Sequence, residues 1–175
     1  MIKFFTSTFS TINIYKKNCI KSEVVTQLIY GESFSILKKS NQWFKIKIKE
    51  DGYKGFVQKK NFKPYIEPSH KVKILKTTIY RSHNTRHKVN ELTFGSKIKI
   101  IEKRLNFFKF EKGWIKHDSV EPISFKEKNP FSKISIFKDV KYKWGGKSFK
   151  GIDCSALIQI CLNFNKRYCP RDAKD

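Results

Sequence analysis

Val25-Thr-Gln-Leu-Ile-Tyr-Gly31 returns 64 residues later as Val89-Asn-Glu-Leu-Thr-Phe-Gly95, and the same offset carries Trp43-Phe44 onto Phe107-Phe108. Two separate anchors at one spacing mark an internal repeat. Gly55-Phe-Val57 answers to Gly113-Trp-Ile115 at an offset of 58, so the second copy lacks six residues in one hairpin. Each copy reads as short strands. Phe44, Ile46 and Ile48 alternate with Lys45, Lys47 and Lys49, and the second copy repeats the habit at Val72-Lys-Ile74, Lys97-Ile-Lys-Ile100 and Phe108-Lys-Phe110. Alternation of period two with lysine outward predicts half-buried antiparallel strands. Gly31, Gly52, Gly55, Gly95 and Gly113 fall between the runs, and Asp51-Gly52 is a tight-turn signal. Copies of this size made of about five short strands suit small barrels of SH3-like dimensions. Prolines at 64, 68 and 122 punctuate the copies, which places the first barrel at 1–64 and the second at 65–124.

The 175 residues carry 38 Lys+Arg against 15 Asp+Glu, a formal charge of +23, yet 39% are apolar and 15% aromatic, which excludes a disordered polycation. The charge is spread: +9 over 1–64, +7 over 65–124 and +7 over 125–175. Thirty-three of the 38 bases are lysine, whereas the planar fork that reads phosphates and guanine edges belongs to arginine. The bases are read as solvated lysines on outward strand faces, with no nucleic-acid partner. No apolar stretch approaches the roughly 20 residues of a membrane span, and the N-terminal residues form no signal-peptide core. The expectation is a cytoplasmic protein without membrane contact. Cys19, Cys154, Cys161 and Cys169 form no CxxC pair and the four histidines lie elsewhere in sequence, so neither a metal nor a cofactor is expected.

From residue 125 the texture changes. Pro130 can open a helix through Phe131, Ile134, Ile136, Phe137 and Val140. After Gly151, Asp153 is placed to cap a helix from Cys154 to about Phe164, whose apolar face is read as Leu157, Ile158, Cys161, Leu162 and Phe164. Cys154 stands in the first turn, where free backbone N–H groups favour a thiolate, while Cys161 reads as core and Cys19 and Cys169 as incidental. Position alone leaves Cys154 balanced between a nucleophile and a buried structural residue.

Tyr142-Lys-Trp-Gly-Gly146, Gly151-Ile-Asp-Cys-Ser155 and Pro170-Arg-Asp172, in that order and spacing, resemble the core motif of NlpC/P60 cysteine peptidases. Val25 to Glu32 and Glu50-Asp-Gly-Tyr-Lys-Gly-Phe56 further resemble the bacterial SH3-like domains that precede such peptidases. The resemblance implies two mainly β SH3-like barrels followed, over 125–175, by a linker helix and the N-terminal helical portion of an α+β papain-like domain. It implies hydrolysis of γ-D-glutamyl-diamino acid bonds in murein-derived peptides with a free N-terminal L-Ala. Carried over, Cys154 is the nucleophile, and the Tyr142 hydroxyl with the Cys154 backbone N–H holds the oxyanion. Asp172 meets the substrate amine, Tyr53 is a second candidate for that subsite, and Trp144 shapes the cleft. Ala156 and Ala173 stand where the family usually has Gly and Ser. The family's general-base histidine and its partner follow the cysteine, whereas all four histidines here precede it. The chain is therefore expected to be an incomplete peptidase domain, inactive alone, with the α-helix exposed unless the barrels or a dimer cover it. The alternative reading is a non-catalytic SH3-like module that binds cell-wall peptide or protein.

Overall fold

The computed structural model describes residues 2–84 and 87–172. Seven strands make the first sheet: β1 (Phe4–Thr6), β2 (Thr11–Tyr15), β3 (Val24–Ile29), β4 (Ser33–Lys39), β5 (Trp43–Ile48), β6 (Lys54–Gln58) and β7 (Lys63–Pro64). Their order is β3-β2-β6-β5-β4-β1-β7, antiparallel throughout. In β5 the alternation is realised, with Phe44, Ile46 and Ile48 buried and Lys45 and Lys47 exposed. Ile12, Ile14, Leu28, Phe34, Val57 and Phe62 complete this core.

The second copy uses two sheets. One has the order β10-β9-β14-β13-β12, formed by β9 (Lys76–Tyr80), β10 (Lys88–Thr93), β12 (Glu102–Arg104), β13 (Phe107–Phe110) and β14 (Gly113–Lys116). The other has the order β11-β8-β15, formed by β8 (His70–Val72), β11 (Lys97–Ile98) and β15 (Val120–Pro122). The shortened hairpin joins β13 and β14 through residues 111–112, against 49–53 between β5 and β6.

The repeat has a structural role beyond its pattern. Tyr30, at the end of the first copy of the motif, is buried in the core of the second barrel with Val72, Leu92 and Phe110, and its hydroxyl donates to Glu111 Oε1 at 2.8 Å. Its counterpart Phe94 is buried in a third cluster, which belongs to the C-terminal segment. Gly31 and Gly95 follow these rings at φ +84° and +79°, a left-handed conformation that side chains resist. At Gly31 a Cβ would also run into the backbone carbonyl of Lys97.

The expected helix from Pro130 is not formed. Residues 130–140 run as turns around a single 3-10 segment, Ile134–Phe137, whose N-terminus has no side-chain cap. Their apolar residues lack a 3.6 period, and they pack as an irregular strap in the third cluster. A two-stranded ribbon, β16 (Lys147–Ser148) and β17 (Gly151–Ile152), then leads into α1 (Cys154–Phe164).

The burial of α1 also departs from the sequence reading. Ala156, Gln159, Ile160, Cys161 and Phe164 are its buried residues, whereas Leu157 and Leu162 are half-buried and Ile158 is exposed. The inward face rests on Ile29 and Phe94 from the two barrels and on Phe137 and Ile152. Phe164 stacks on Phe94 with ring centres 4.5 Å apart. The barrels thus cover one side of the helix, and the stripe Cys154–Ile158–Leu162 looks outward.

Candidate functional site

The start of α1 is fixed by one buried carboxylate. Asp153 has extended backbone geometry, and its Oδ1 accepts from Ala156 N at 2.8 Å, which satisfies one of the free amides of the first turn. Its Oδ2 accepts from Gly145 N at 2.9 Å and from Arg171 Nη2 at 2.5 Å. Arg171 is itself buried, donating from Nε to Thr26 Oγ1 at 2.7 Å and from Nη1 to Ser155 Oγ at 2.6 Å. Three motifs within residues 144–172 therefore close on one another, the Trp-Gly-Gly turn, the Asp-Cys-Ser helix start and the Pro-Arg-Asp segment, and Arg171 anchors them to β3 of the first barrel. Gly146 is required here, since a Cβ would lie 2.5 Å from the Gly151 carbonyl oxygen.

Cys154 is exposed at the first position of α1. Asp172, partly buried, follows the arginine that is bonded to Ser155, so Cys154 and Asp172 are brought to the same end of the helix. Tyr142 bridges Ile152 through its backbone and leaves its side chain largely in solvent. Trp144 is likewise exposed, donating from Nε1 to Glu23 Oε1 at 2.9 Å. Hydrogen bonds from Lys16 and Trp144 hold the Glu23 carboxyl below its usual range. Tyr53 packs against the first core, and its amide donates to Asp51 Oδ1 at 2.9 Å. Its turn is docked on α1, because Asp51 Oδ2 accepts from Gln159 Nε2 at 2.9 Å. Ala173 lies outside the described residues.

Imidazoles are placed elsewhere. His70 and His117 pack on Phe108 with ring centres 5.4 and 4.9 Å away, and His83 lies 4.9 Å from Trp114. His87 is exposed next to β10. Each is committed to the second barrel or its surface.

Sequence reasoning missed Arg171, Lys147 and Gln159. Lys147 is buried with Nζ 2.5 Å from Glu32 Oε1, and its backbone N–H donates to Gln27 Oε1 at 2.9 Å. Burial pushes the Glu32 carboxyl upward against the pull of Lys147. Only Arg171 carried a signal, its place within Pro-Arg-Asp.

The thiols differ in a way that alkylation reads. Burial pushes Cys161 up to about 11, and burial followed by the Asp51 charge raises Cys169. The thiolate is the nucleophile, so iodoacetamide at pH 7 is expected to modify exposed Cys154 and Cys19 first, Cys169 slowly and Cys161 only on unfolding. Peptide mass mapping over a time course checks this order; early modification of Cys161 would contradict it.

Residues 14–62 match the bacterial dipeptidyl-peptidase SH3 domain, and residues 139–175 match the NlpC/P60 family. The chain is 26% identical to a γ-D-glutamyl-L-lysine dipeptidyl-peptidase of Bacillus subtilis (strain 168), over 90% of this chain and 58% of that one. It thus spans a little more than half the length of that relative. An NlpC/P60 family protein from Bacillus cereus ATCC 10987 superposes with a TM-score of 0.82 at 14% identity, covering 97% of this chain and 75% of the other, which shows a shared fold. No helix among the described residues is long and apolar enough to cross a membrane.

Proposed function

From a chain that joins a bacterial dipeptidyl-peptidase SH3 region to an NlpC/P60 region, we propose a cysteine peptidase that acts on γ-D-glutamyl-diamino acid bonds in murein-derived peptides with a free N-terminal L-Ala. The observation that carries this reading is the closure of Asp153, Ser155 and Arg171 around an exposed cysteine at a helix start. In this reading the Cys154 sulfur attacks the γ-carbonyl carbon, and the Cys154 N–H and Tyr142 hydroxyl hold the developing oxyanion. The C–N bond breaks as the leaving amine takes up a proton, and water then hydrolyses the thioester. Asp172 receives the ammonium of L-Ala, with Tyr53 and Trp144 along the cleft.

Both proton transfers need an acid–base group, and the four imidazoles are held in the second barrel. Loss of that group costs orders of magnitude in rate. The chain by itself is therefore expected to release no diamino acid from L-Ala-γ-D-Glu-diaminopimelate.

Nucleophile and subsite can be tested without turnover. An L-Ala-γ-D-Glu chloromethyl ketone is expected to label Cys154 in preference to Cys19, with N-acetylation of the probe or Asp172→Asn slowing labelling about tenfold or more, as befits a charge-assisted contact of about 1.5–3 kcal/mol. Labelling indifferent to both changes would favour the non-catalytic module instead.

A further inference from the structure

Gln159 is fully buried on a helix whose Ile158 is exposed and whose Leu157 and Leu162 are half-buried. Polar side chains go inside where their hydrogen-bonding groups are met, and here only one end of the amide is. Nε2 donates to Asp51 Oδ2 at 2.9 Å and to the Cys169 carbonyl at 3.2 Å, whereas Oε1 is buried with no partner among the described residues. The two acceptors fix which way the amide points, since the flipped form would set Oε1 against a carboxylate and a carbonyl. Methionine has a similar length, would fill the same space and would leave no such acceptor unpaired. Packing alone therefore does not account for a glutamine at this place, and its two donors do.

Those donors go to different units of the molecule. Asp51 belongs to the turn between β5 and β6 of the first barrel, and its other oxygen, Oδ1, accepts from Tyr53 N at 2.9 Å. Cys169 opens the segment Cys169-Pro-Arg-Asp172, whose Arg171 is bonded to Thr26, Ser155 and Asp153. One amide group thus bridges the turn that carries Tyr53 and the segment that carries Asp172, from a helix position about 7.5 Å beyond Cys154 along the axis. Turn and segment also feel each other electrostatically, because burial and then the Asp51 charge raise the Cys169 thiol.

We propose that Gln159 is a positioning residue for the amine end of the substrate, setting the spacing between the Tyr53 turn and Asp172 and, through it, the preference for a free N-terminal amine. The inference rests on the peptidase reading, which takes Asp172 and Tyr53 as the amine subsite, and it adds the residue that holds the two in register. A charge-assisted contact depends steeply on distance and direction, so release of either wall weakens binding of the amine. Attack by the sulfur is governed by the first turn of α1 and its Asp153 cap, and it proceeds as before.

The test is saturation labelling of the full chain by the L-Ala-γ-D-Glu chloromethyl ketone and by its N-acetyl form, which separates the half-saturating concentration from the limiting rate. In Gln159→Met the half-saturating concentration of the free-amine probe is expected to rise about tenfold, while its limiting rate, labelling by the N-acetyl probe and alkylation by iodoacetamide each change less than about twofold. Should Gln159→Met perturb folding, Asp51→Asn cuts the same bridge from the turn, outside the helix, and is expected to give the same rise. The double variant is expected to add nothing further, since both substitutions break one connection. A rise shared by both probes, a fall in iodoacetamide alkylation alongside it, or additive effects of the two substitutions would mark Gln159 as merely structural and overturn the proposal. A wild-type chain indifferent to N-acetylation overturns the peptidase reading and this inference with it. A wild-type chain that prefers the free amine, with the preference intact in Gln159→Met, overturns this inference alone.

Discussion

Replacing Lys147 with Met lowers the stability of the protein by about 3–5 kcal/mol, because it strands the Glu32 carboxylate in the interior. Only 1% of the Lys147 side chain and 4% of that of Glu32 are exposed, so water cannot take over from the lost ammonium. The Ile29 amide still donates to Glu32 Oε2 at 2.9 Å, but one neutral hydrogen bond does not offset a buried charge. A domain's net stability is only about 5–15 kcal/mol, so this single change removes a large part of it. The midpoint of urea unfolding measures the loss, and the double variant Lys147→Met with Glu32→Gln is expected to recover most of it. The sign of the pH dependence follows as well. In Lys147→Met the folded-state carboxyl titrates further above its unfolded value, so the folded form binds the extra proton and the variant gains stability as pH falls from 7 toward 5. A variant equally unstable at both pH values, or a double variant no better than the single one, would show that the pair is not what holds this junction.

Arg171→Ala is expected to cost about 3 kcal/mol and also to change what the site recognises. Three donors leave at once, from Thr26, Ser155 and Asp153, and the last is a buried ion pair. Asp153 keeps Ala156 N and Gly145 N, so the helix start survives and Cys154 stays reactive to iodoacetamide. What is lost is the tether that holds the Arg171–Asp172 segment at the start of α1. Labelling by the L-Ala-γ-D-Glu probe should therefore lose its dependence on a free amine while plain alkylation continues. Arg171→Lys does not rescue, since one ammonium cannot reach three acceptors in the geometry of a planar fork. Retention of amine preference in Arg171→Ala would separate Asp172 from substrate recognition.

Much of the fold was legible because its signals are local. Alternating Phe44, Ile46 and Ile48 and the Asp153 cap each depend on neighbours a few residues away. The inward face of α1 was not legible, because Leu157, Ile158 and Leu162 are more apolar than Gln159, yet Gln159 is the buried residue. Its amide is met by Asp51 and by the Cys169 carbonyl, contacts that periodicity cannot see. Lys147 was invisible for the same reason, since by residue type it belongs outside and its partner lies 115 residues away, and Arg171 showed only through its place in Pro-Arg-Asp, not through its bond to Thr26 145 residues off. The candidate site was legible as motifs, whereas its closure through Arg171 was not. The strap at 130–140 failed for want of any period at all.

Tyr30 and Phe94 have a consequence for how the molecule comes together. Each ring leaves its own repeat and fills the unit that follows, so the three parts overlap like roof tiles laid in chain order. During synthesis the first barrel emerges with Tyr30 waiting in water, and the second emerges with Phe94 waiting likewise, until the next length of chain arrives to receive them. The first two units thus reach their full burial only once the unit that follows each has folded.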